Sequence, residues 1–229
     1  YPFVGKTWEA APGVQSNIGD VFLPLVVPGT LQPVSQVKET VIHFAPSILA
    51  KFPQFADVAI TVPAGSLFND DGTPGGLVGI APVPADRIPG ALPEELDFPL
   101  VITVQTDGAG NFDVPAPVCF PNLPNPNTGV PLKPGERSAL WSFNHDTGRF
   151  AVVGPMTATA DGKLVCTDPG VGVPAPGWHS WSGGTPGRGG PMQTVEPEDE
   201  ADILEEEEEE EELTCEEQGG EEVCKQRKD

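Results

Sequence analysis

The stretch ADVAITVPAGSLFNDDGTPGGLVGIAPV, residues 56–83, joins two apolar runs through a long cluster of turn-forming residues. Over residues 58–62, valine and isoleucine alternate with alanine and threonine, and this period of two is typical of a half-buried β-strand. NDDGTPGG, residues 69–76, concentrates turn formers, and LVGIAPV, residues 77–83, begins the next strand. The stretch therefore predicts two strands separated by a turn.

Short strands and turns continue along most of the chain. Further strand-like runs are GDVFLPLVV (residues 19–27), VKETVIHFAP (37–46), FPLVITVQT (98–106), APVCFPN (116–122), SALWSFN (138–144), RFAVVGPMTAT (149–159) and LVCTDPG (164–170). Strands separated by turns about every 8–12 residues are typical of an all-β sandwich. The 28 Pro and 27 Gly residues also disfavour long helices. We predict an all-β fold: an antiparallel β-sandwich over residues 37–181.

The two ends of the chain differ from this body. Residues 182–229 begin with a Gly/Pro-rich linker and continue into a glutamate run, which predicts a disordered acidic tail because like charges repel each other. A solvated helix in the glutamate run is the alternative. Residues 1–36 form an N-terminal strand segment, either the end of a preceding sandwich or a strand that pairs with another subunit. Its predicted partner contacts are Phe22, Leu23, Leu25 and Val26.

The charge distribution restricts the partners. The formal net charge is −22, and residues 196–222 hold 17 of the 34 acidic residues. An acidic chain does not bind the phosphate backbone of a nucleic acid, because that binding depends on Lys and Arg. Every apolar run is shorter than the roughly 20 residues that span a bilayer, so we predict no membrane insertion. The predicted partner is a neighbouring domain or an identical subunit.

The four cysteines predict disulfides. An even count without Cys-x-x-Cys spacing suits an oxidising compartment, which predicts an extracellular or cell-surface location. Of the three possible connectivities we prefer Cys119 with Cys166 and Cys215 with Cys224. Buried free thiols are the alternative for the first pair.

Two turns carry oxygen ligands of the kind that calcium prefers. They are Asn69, Asp70 and Asp71 in the first turn, and Asp107, Asn111 and Asp113 in the second. Neither turn has EF-hand spacing, and the same residue types form ordinary turns. We therefore predict no cofactor, with calcium as the alternative.

Two other groups suggest catalysis. Ser142, His145 and Asp146 lie together in one hairpin, but catalytic triads converge from distant segments, so a structural role is the preferred interpretation. The carboxyl groups in residues 94–97 suggest glycoside hydrolysis, and solvated loop charge is the preferred interpretation for them.

DPGVGVPAPGWHSW, residues 168–181, separates the predicted sandwich from the linker. Its prolines and glycines predict a stiff exit strand with close backbone approach. We expect Trp178 to cover the open end of the sandwich. We expect Trp181 to lie past the boundary as an exposed aromatic available for partner contact.

Several ordered motifs resemble one family. ITVPAGSLFNDDGTPGGLVGIAPVPADRIPGALPEELDFPLVITVQTDG, followed by FPNL, LWSFNHDTGRFAVVGPMTATADG and TDPGVGVPAPGWH, resembles a module of large secreted bacterial surface proteins. In those proteins the module follows a carboxypeptidase-regulatory-like β-sandwich. More distantly, the sequence resembles the β-sandwich domain of zonula occludens proteins, netrin receptors and ankyrins. Some of those cleave themselves at His-Phe-Ser, whereas this chain has His43, Phe44 and Ala45 and lacks the nucleophilic hydroxyl.

The resemblance implies a scaffold role without a reaction. We therefore predict a non-enzymatic extracellular structural module of a bacterial surface or filament protein, assembled by β-strand pairing and sandwich packing. A calcium- or carbohydrate-dependent adhesion module is the first alternative. A hydrolase or self-processing protein is the second.

Overall fold

The structure is a computed structural model of the 229-residue chain. It describes residues 12–15, 22–24, 27, 29–90, 92, 96–108 and 110–182, and the backbone of residues 213–218 and 221–226. The chain divides into two compact units, Tyr1–Met192 and Gln193–Asp229.

Strands dominate the first unit. They are β1 (Gln32–Pro33), β2 (Thr40–His43), β3 (Ala59–Val62), β4 (Leu67–Asn69), β5 (Leu77–Val83), β6 (Val101–Thr106), β7 (Gly110–Phe112), β8 (Val118–Pro121), β9 (Arg137–Asn144), β10 (Arg149–Ala158), β11 (Leu164–Thr167) and β12 (Gly177–Trp181). The described helices are α1 (Pro46–Leu49) and two 3-10 turns, Pro53–Phe55 and Ala85–Arg87. Among the described residues, no helix has the length and hydropathy needed to cross a membrane.

Ten of these strands form one antiparallel sheet in the order β1-β5-β6-β12-β9-β10-β11-β8-β3-β2. The first and last strands of this order come close to each other. The Gln32 Nε2 donates a hydrogen bond to the His43 carbonyl at 2.8 Å, and the Ser35 N–H donates to the Thr40 Oγ1 at 2.9 Å. The sheet is therefore nearly closed. This confirms the predicted all-β antiparallel fold.

Hydrophobic clusters cover both faces of the central strands. Val101 and Ile102 are neighbours in β6 but belong to different clusters, because successive side chains of a strand point to opposite faces. The main core lies on the Ile102 face and includes Ile42, Ile60, Val62, Ile80, Val104, Leu140, Met156 and Trp181. The second cluster lies on the Val101 face and includes Val83, Phe98, Phe143, Phe150 and Trp178.

The strand β12 contradicts two expectations for residues 168–181. It does not lead out of the fold but lies between β6 and β9 in the sheet. Trp178 and Trp181 are both fully buried, at 0% exposure, so the prediction of an exposed partner contact at Trp181 is wrong. Trp178 packs into the second cluster, and its ring centroid lies 5.8 Å from that of Phe143, so it does not cover an open end. The two faces of β12 are buried in different clusters. This explains why each face carries a tryptophan, Trp178 on one and Trp181 on the other.

The chain enters β12 through a close backbone approach at Gly172. A Cβ at this position would lie 2.5 Å from the carbonyl carbon of Ala116. There Ala116 and Val173 exchange backbone hydrogen bonds of 2.9 and 2.7 Å. The close approach that the sequence predicted for these glycines is therefore present at Gly172.

Two residues of the N-terminal segment, Phe22 and Pro24, contact the rest of the first unit. No strand is present at Phe22–Pro24, although the sequence predicted one over residues 19–27. The Gln105 Nε2 donates a hydrogen bond to the Pro24 carbonyl at 3.1 Å, and the Arg87 guanidinium lies 5.2 Å from the centroid of the Phe22 ring. Phe22 and Leu23 remain 41% and 43% exposed.

Two further observations concern the ends of the predicted domains. Leu25 and Val26, two of the predicted contacts, lie outside the described residues. The strand β1 falls before the predicted domain start at Val37, yet it pairs with β5 in the main sheet. The last part of the predicted N-terminal segment therefore belongs to the same sheet.

In the second unit, two strands lie within the predicted acidic tail. They are β13 (Leu213–Gln218) and β14 (Glu221–Gln226), which pair antiparallel. Cys215 and Cys224 occupy directly opposed Cα positions in this pair. The glutamate run at residues 205–212 lies outside the described residues.

Candidate functional site

A serine and a histidine meet across two central strands. Ser142 on β9 and His179 on β12 are direct Cα partners, and the Ser142 Oγ lies 2.7 Å from the His179 Nδ1. Both residues are buried, at 7% and 2% exposure. Leu140 and Trp181 of the same strands belong to the main core, so the hydrogen bond satisfies polar groups that would be costly to bury alone.

Burial keeps the imidazole of His179 neutral. Desolvation, with a smaller electrostatic contribution from nearby His145, lowers the pKa of His179 from 6.5 to about 3. The carbonyl of Ala175 opposes the shift only in part. A neutral ring hydrogen-bonded to a serine fits a structural cross-strand pair.

The Ser142–His179 pair differs from a catalytic triad in its environment. In a triad the second ring nitrogen is held by a carboxylate, whereas no carboxylate among the described residues forms a hydrogen bond to the His179 ring. Asp146 is exposed in the hairpin turn, where its N–H donates to the Asn144 Oδ1 at 2.9 Å. Ser142 is therefore paired with His179 and not with the neighbouring His145, whose ring contacts Phe143 edge-to-face.

The structure brings the two candidate calcium turns side by side. The strands β4 and β7 pair so that Asn69 is opposite Gly110. In the first turn, however, the Asp71 Oδ1 accepts hydrogen bonds from the Thr73 Oγ1 at 2.6 Å and the Thr73 N–H at 2.9 Å. These bonds, led by the hydroxyl, lower the pKa of the exposed Asp71 carboxyl. The carboxylate therefore organises its own turn.

The second turn uses its oxygen atoms in the same way. The Asp107 Oδ1 accepts a hydrogen bond from the Leu77 N–H at 3.0 Å, and the Asn111 Oδ1 accepts one from the Phe112 N–H at 3.0 Å. No group of three or more His, Cys, Asp or Glu residues that could hold a metal ion occurs in the described part of the chain. Glu94 and Glu95 lie outside it.

The disulfide between Cys119 and Cys166 is present, which confirms the preferred pairing over free thiols. The two residues are opposed in the β8–β11 pair, with their Cα atoms 4.1 Å apart. Both are half-buried. For Cys215 and Cys224, only the backbone positions are described.

An apolar groove lies where β5 ends and β6 begins. Its volume is about 240 Å³. Three phenylalanines and three prolines dominate its lining: Phe52, Phe55, Phe98, Pro82, Pro84 and Pro99. Gln54 is a polar lining residue, and Phe52 is 38% exposed at the rim. We refer to this surface as the aromatic groove.

No sequence pattern predicted the aromatic groove. Its residues come from separate segments that approach each other only in the folded sheet. Phe-Pro pairs occur at residues 52–53 and 98–99, but the same pair at residues 120–121 does not line the groove, so it is not a specific signal.

Comparisons with protein-family models, curated proteins and solved structures found no match to this chain.

Proposed function

We propose that this chain is a non-enzymatic structural module of an extracellular bacterial surface or filament protein. The observation that carries the proposal is the disulfide between Cys119 and Cys166. Structural disulfides persist in oxidising compartments and are rare where glutathione and thioredoxin keep thiols reduced. The family resemblance of the sequence supports the same location.

The arrangement of the polar residues supports a structural role. Ser142 and His179 satisfy each other inside the sheet, where a substrate has no access. Asp71 and Asp107 hold their turns through hydrogen bonds to neighbouring backbone groups. These hydrogen bonds support a structural role for the residues.

The proposed partner is a neighbouring domain or an identical subunit. The strands β1 and β2 face each other across the nearly closed sheet, so the main sheet offers a poor edge for an added strand. Strand pairing would therefore use the N-terminal segment as donor to another domain rather than the main sheet as acceptor. The exposed Phe22 and Leu23 add an apolar contact surface.

Cell fractionation with thiol mapping tests this proposal. In the producing cell, we expect a membrane-impermeant label to reach the protein at the surface, with Cys119 and Cys166 protected from alkylation before reduction. Recovery in the cytosol with both thiols alkylated would overturn the proposal. Light scattering of the full chain and of a chain beginning at Gly29 then tests whether the N-terminal segment forms a contact between subunits.

A further inference from the structure

We propose that the aromatic groove binds a proline-rich loop of a second copy of this chain, and that the two copies dock reciprocally. The loop comprises residues 124–134, between β8 and β9, and we refer to it as the proline loop. The inference deepens the proposed function and rests on it for the kind of partner, an identical subunit. It adds a contact surface that strand pairing does not provide.

The proline loop presents apolar side chains to solvent. It lies within the connection formed by residues 122–136, and connections longer than about 12 residues without regular structure are uncommon and usually functional. Val130 is 58% exposed. The exposed prolines of the loop are Pro124, Pro126, Pro131 and Pro134. The loop therefore offers a mainly apolar contact surface outside the core.

Hydrogen bonds from two asparagines organise the proline loop. The Asn125 side chain is buried, and its Oδ1 accepts hydrogen bonds from the Asn127 N–H at 2.8 Å and the Thr128 N–H at 3.2 Å. The Asn122 Nδ2 donates to the Leu132 carbonyl at 2.7 Å, and its Oδ1 accepts from the Leu132 N–H at 3.1 Å. A loop that is already ordered loses little conformational entropy when it binds a partner.

The proline loop and the aromatic groove lie at the same end of the sheet. The strand β6 begins at Val101, which is opposite Ser180 near the end of β12. Trp181, the last residue of β12, is opposite Leu140 in the first half of β9. The start of β9, where the connection from β8 arrives, is therefore at the end where the groove lies. Two copies that meet at this end can exchange loops about a two-fold axis, so each loop enters the other groove.

The lining of the groove suits a segment of this kind. Grooves lined by aromatic side chains bind proline-rich segments, because proline rings pack on aromatic rings and the segment has little conformational freedom to lose. Here Phe52 and Phe98 supply the rings, and Gln54 supplies an amide that can bond to a backbone group of the loop. Among the described residues that line the groove, none belongs to the proline loop of the same chain.

The charges of the two surfaces also differ in sign. Lys133 is the charged residue of the proline loop. Five charged residues, all exposed, lie within two positions of a groove residue: Lys51, Asp57, Asp86, Arg87 and Asp97. Carboxylates outnumber cations in this set, and the Arg87 guanidinium already lies over the Phe22 ring. The groove surround is therefore mildly acidic, which favours approach of the Lys133 ammonium.

Photo-crosslinking of the full chain tests the inference. Val130 is replaced by p-benzoylphenylalanine, and the matched control carries the same residue at Val114, which is 49% exposed and lies outside the loop and the groove. Mixing light and isotopically heavy chains identifies crosslinks between copies. We expect the probe at position 130 to crosslink to residues 52–55, 82–85 or 98–101 of a second chain, with a yield that rises with protein concentration. The control should not crosslink there.

Variants on each surface sharpen the test. At a concentration where most chains are monomeric, Phe52→Ser should lower the crosslink yield about tenfold, which corresponds to 1.4 kcal/mol of lost affinity. Val37→Ser, at a position that is 90% exposed, should leave the yield unchanged. Val130→Ser changes an exposed side chain and keeps the test decisive if Phe52→Ser does not fold. In light scattering the unaltered chain should reach the mass of two copies as its concentration rises, and Val130→Ser should need about ten times the concentration.

Three outcomes would overturn the inference. They are a chain that stays monomeric at every concentration, crosslinks from position 130 that fall outside the groove or within one chain, and a mass that grows beyond two copies. Cell fractionation and thiol mapping do not depend on this contact, so a failure here leaves the proposed function standing. A cytosolic, reduced protein that still forms the crosslinked dimer would instead overturn the proposed function alone.

Discussion

Ser142 and His179 share a hydrogen bond of 2.7 Å across β9 and β12, with both side chains buried. Ser142→Ala removes one partner and leaves the His179 Nδ1 buried and unsatisfied. We expect the free energy of unfolding to fall by about 1–3 kcal/mol, which is the cost of such a buried group. Urea unfolding measures this loss. Ser47→Ala, at an exposed position of α1, is the matched control and should change stability little. Equal stability of the two variants would show that the bond does not contribute.

The pH dependence of stability follows from the low pKa of His179. The unfolded chain binds a proton on this ring below its ordinary pKa of 6.5, whereas the folded chain does so only near pH 3. Falling pH therefore favours the unfolded state and removes stability that is fully present above about pH 6.5. Each pH unit in this window costs about 1.4 kcal/mol.

Urea unfolding between about pH 6.5 and 5 measures this slope, because most carboxyl groups titrate at lower pH, near 4. The ring resonances of His179 in the folded protein provide the direct check. They should not shift in this window. A ring that gains its proton near pH 6 in the folded state would contradict the burial of an uncharged imidazole.

The alternation of buried and more exposed side chains along the strands explains why most of the sheet could be predicted. Residues 58–62 alternate because one side of β3 faces the core, and the observed strand begins and ends within one residue of that range. The strand β12 gave no such pattern, because Trp178 and Trp181 are buried in clusters on opposite faces. A sequence without alternation and rich in proline and glycine resembles an exit loop.

The contacts between side chains were harder to predict than the strands. Ser142 and His179 are 37 residues apart, and only the placement of β12 beside β9 brings them together. The Cys119–Cys166 pair was predictable because disulfide chemistry leaves few connectivities. The aromatic groove has no single sequence motif, since separate loops build it.

The disulfide should contribute substantially to stability. Cys119 and Cys166 are 47 residues apart, and closing a loop of that size lowers the entropy of the unfolded chain by an amount worth about 4 kcal/mol. We expect the double variant Cys119→Ser/Cys166→Ser to lose this amount in urea unfolding. Each single variant should lose about as much, since one cysteine cannot form the bond. A double variant as stable as the native chain would show that backbone pairing of β8 and β11 is sufficient.

Calcium should leave the thermal stability of the protein unchanged. The Asp71 and Asp107 Oδ1 atoms accept hydrogen bonds from the Thr73 and Leu77 N–H groups, and the described residues contain no group of three or more His, Cys, Asp or Glu that could hold an ion. Thermal unfolding with calcium chloride and with a chelator measures the difference. A rise in melting temperature that grows with calcium concentration would favour the adhesion alternative instead.

Among the described glycines, Gly172 leaves the least room for an added Cβ atom. Gly172→Ala would place a Cβ 2.5 Å from the Ala116 carbonyl carbon, so the chain must move and the hydrogen bonds between Ala116 and Val173 must lengthen. We expect a loss of about 1–3 kcal/mol or more, as for other overpacked sites. Gly108→Ala is the matched control, because no atom lies within 4 Å of its Cβ position and its backbone is not in the left-handed region. Urea unfolding compares the two variants. If both change stability equally, the approach at Ala116 is not what holds β12 in the sheet. If only Gly172→Ala is destabilised, this contact directs the chain from β11 back into the centre of the fold.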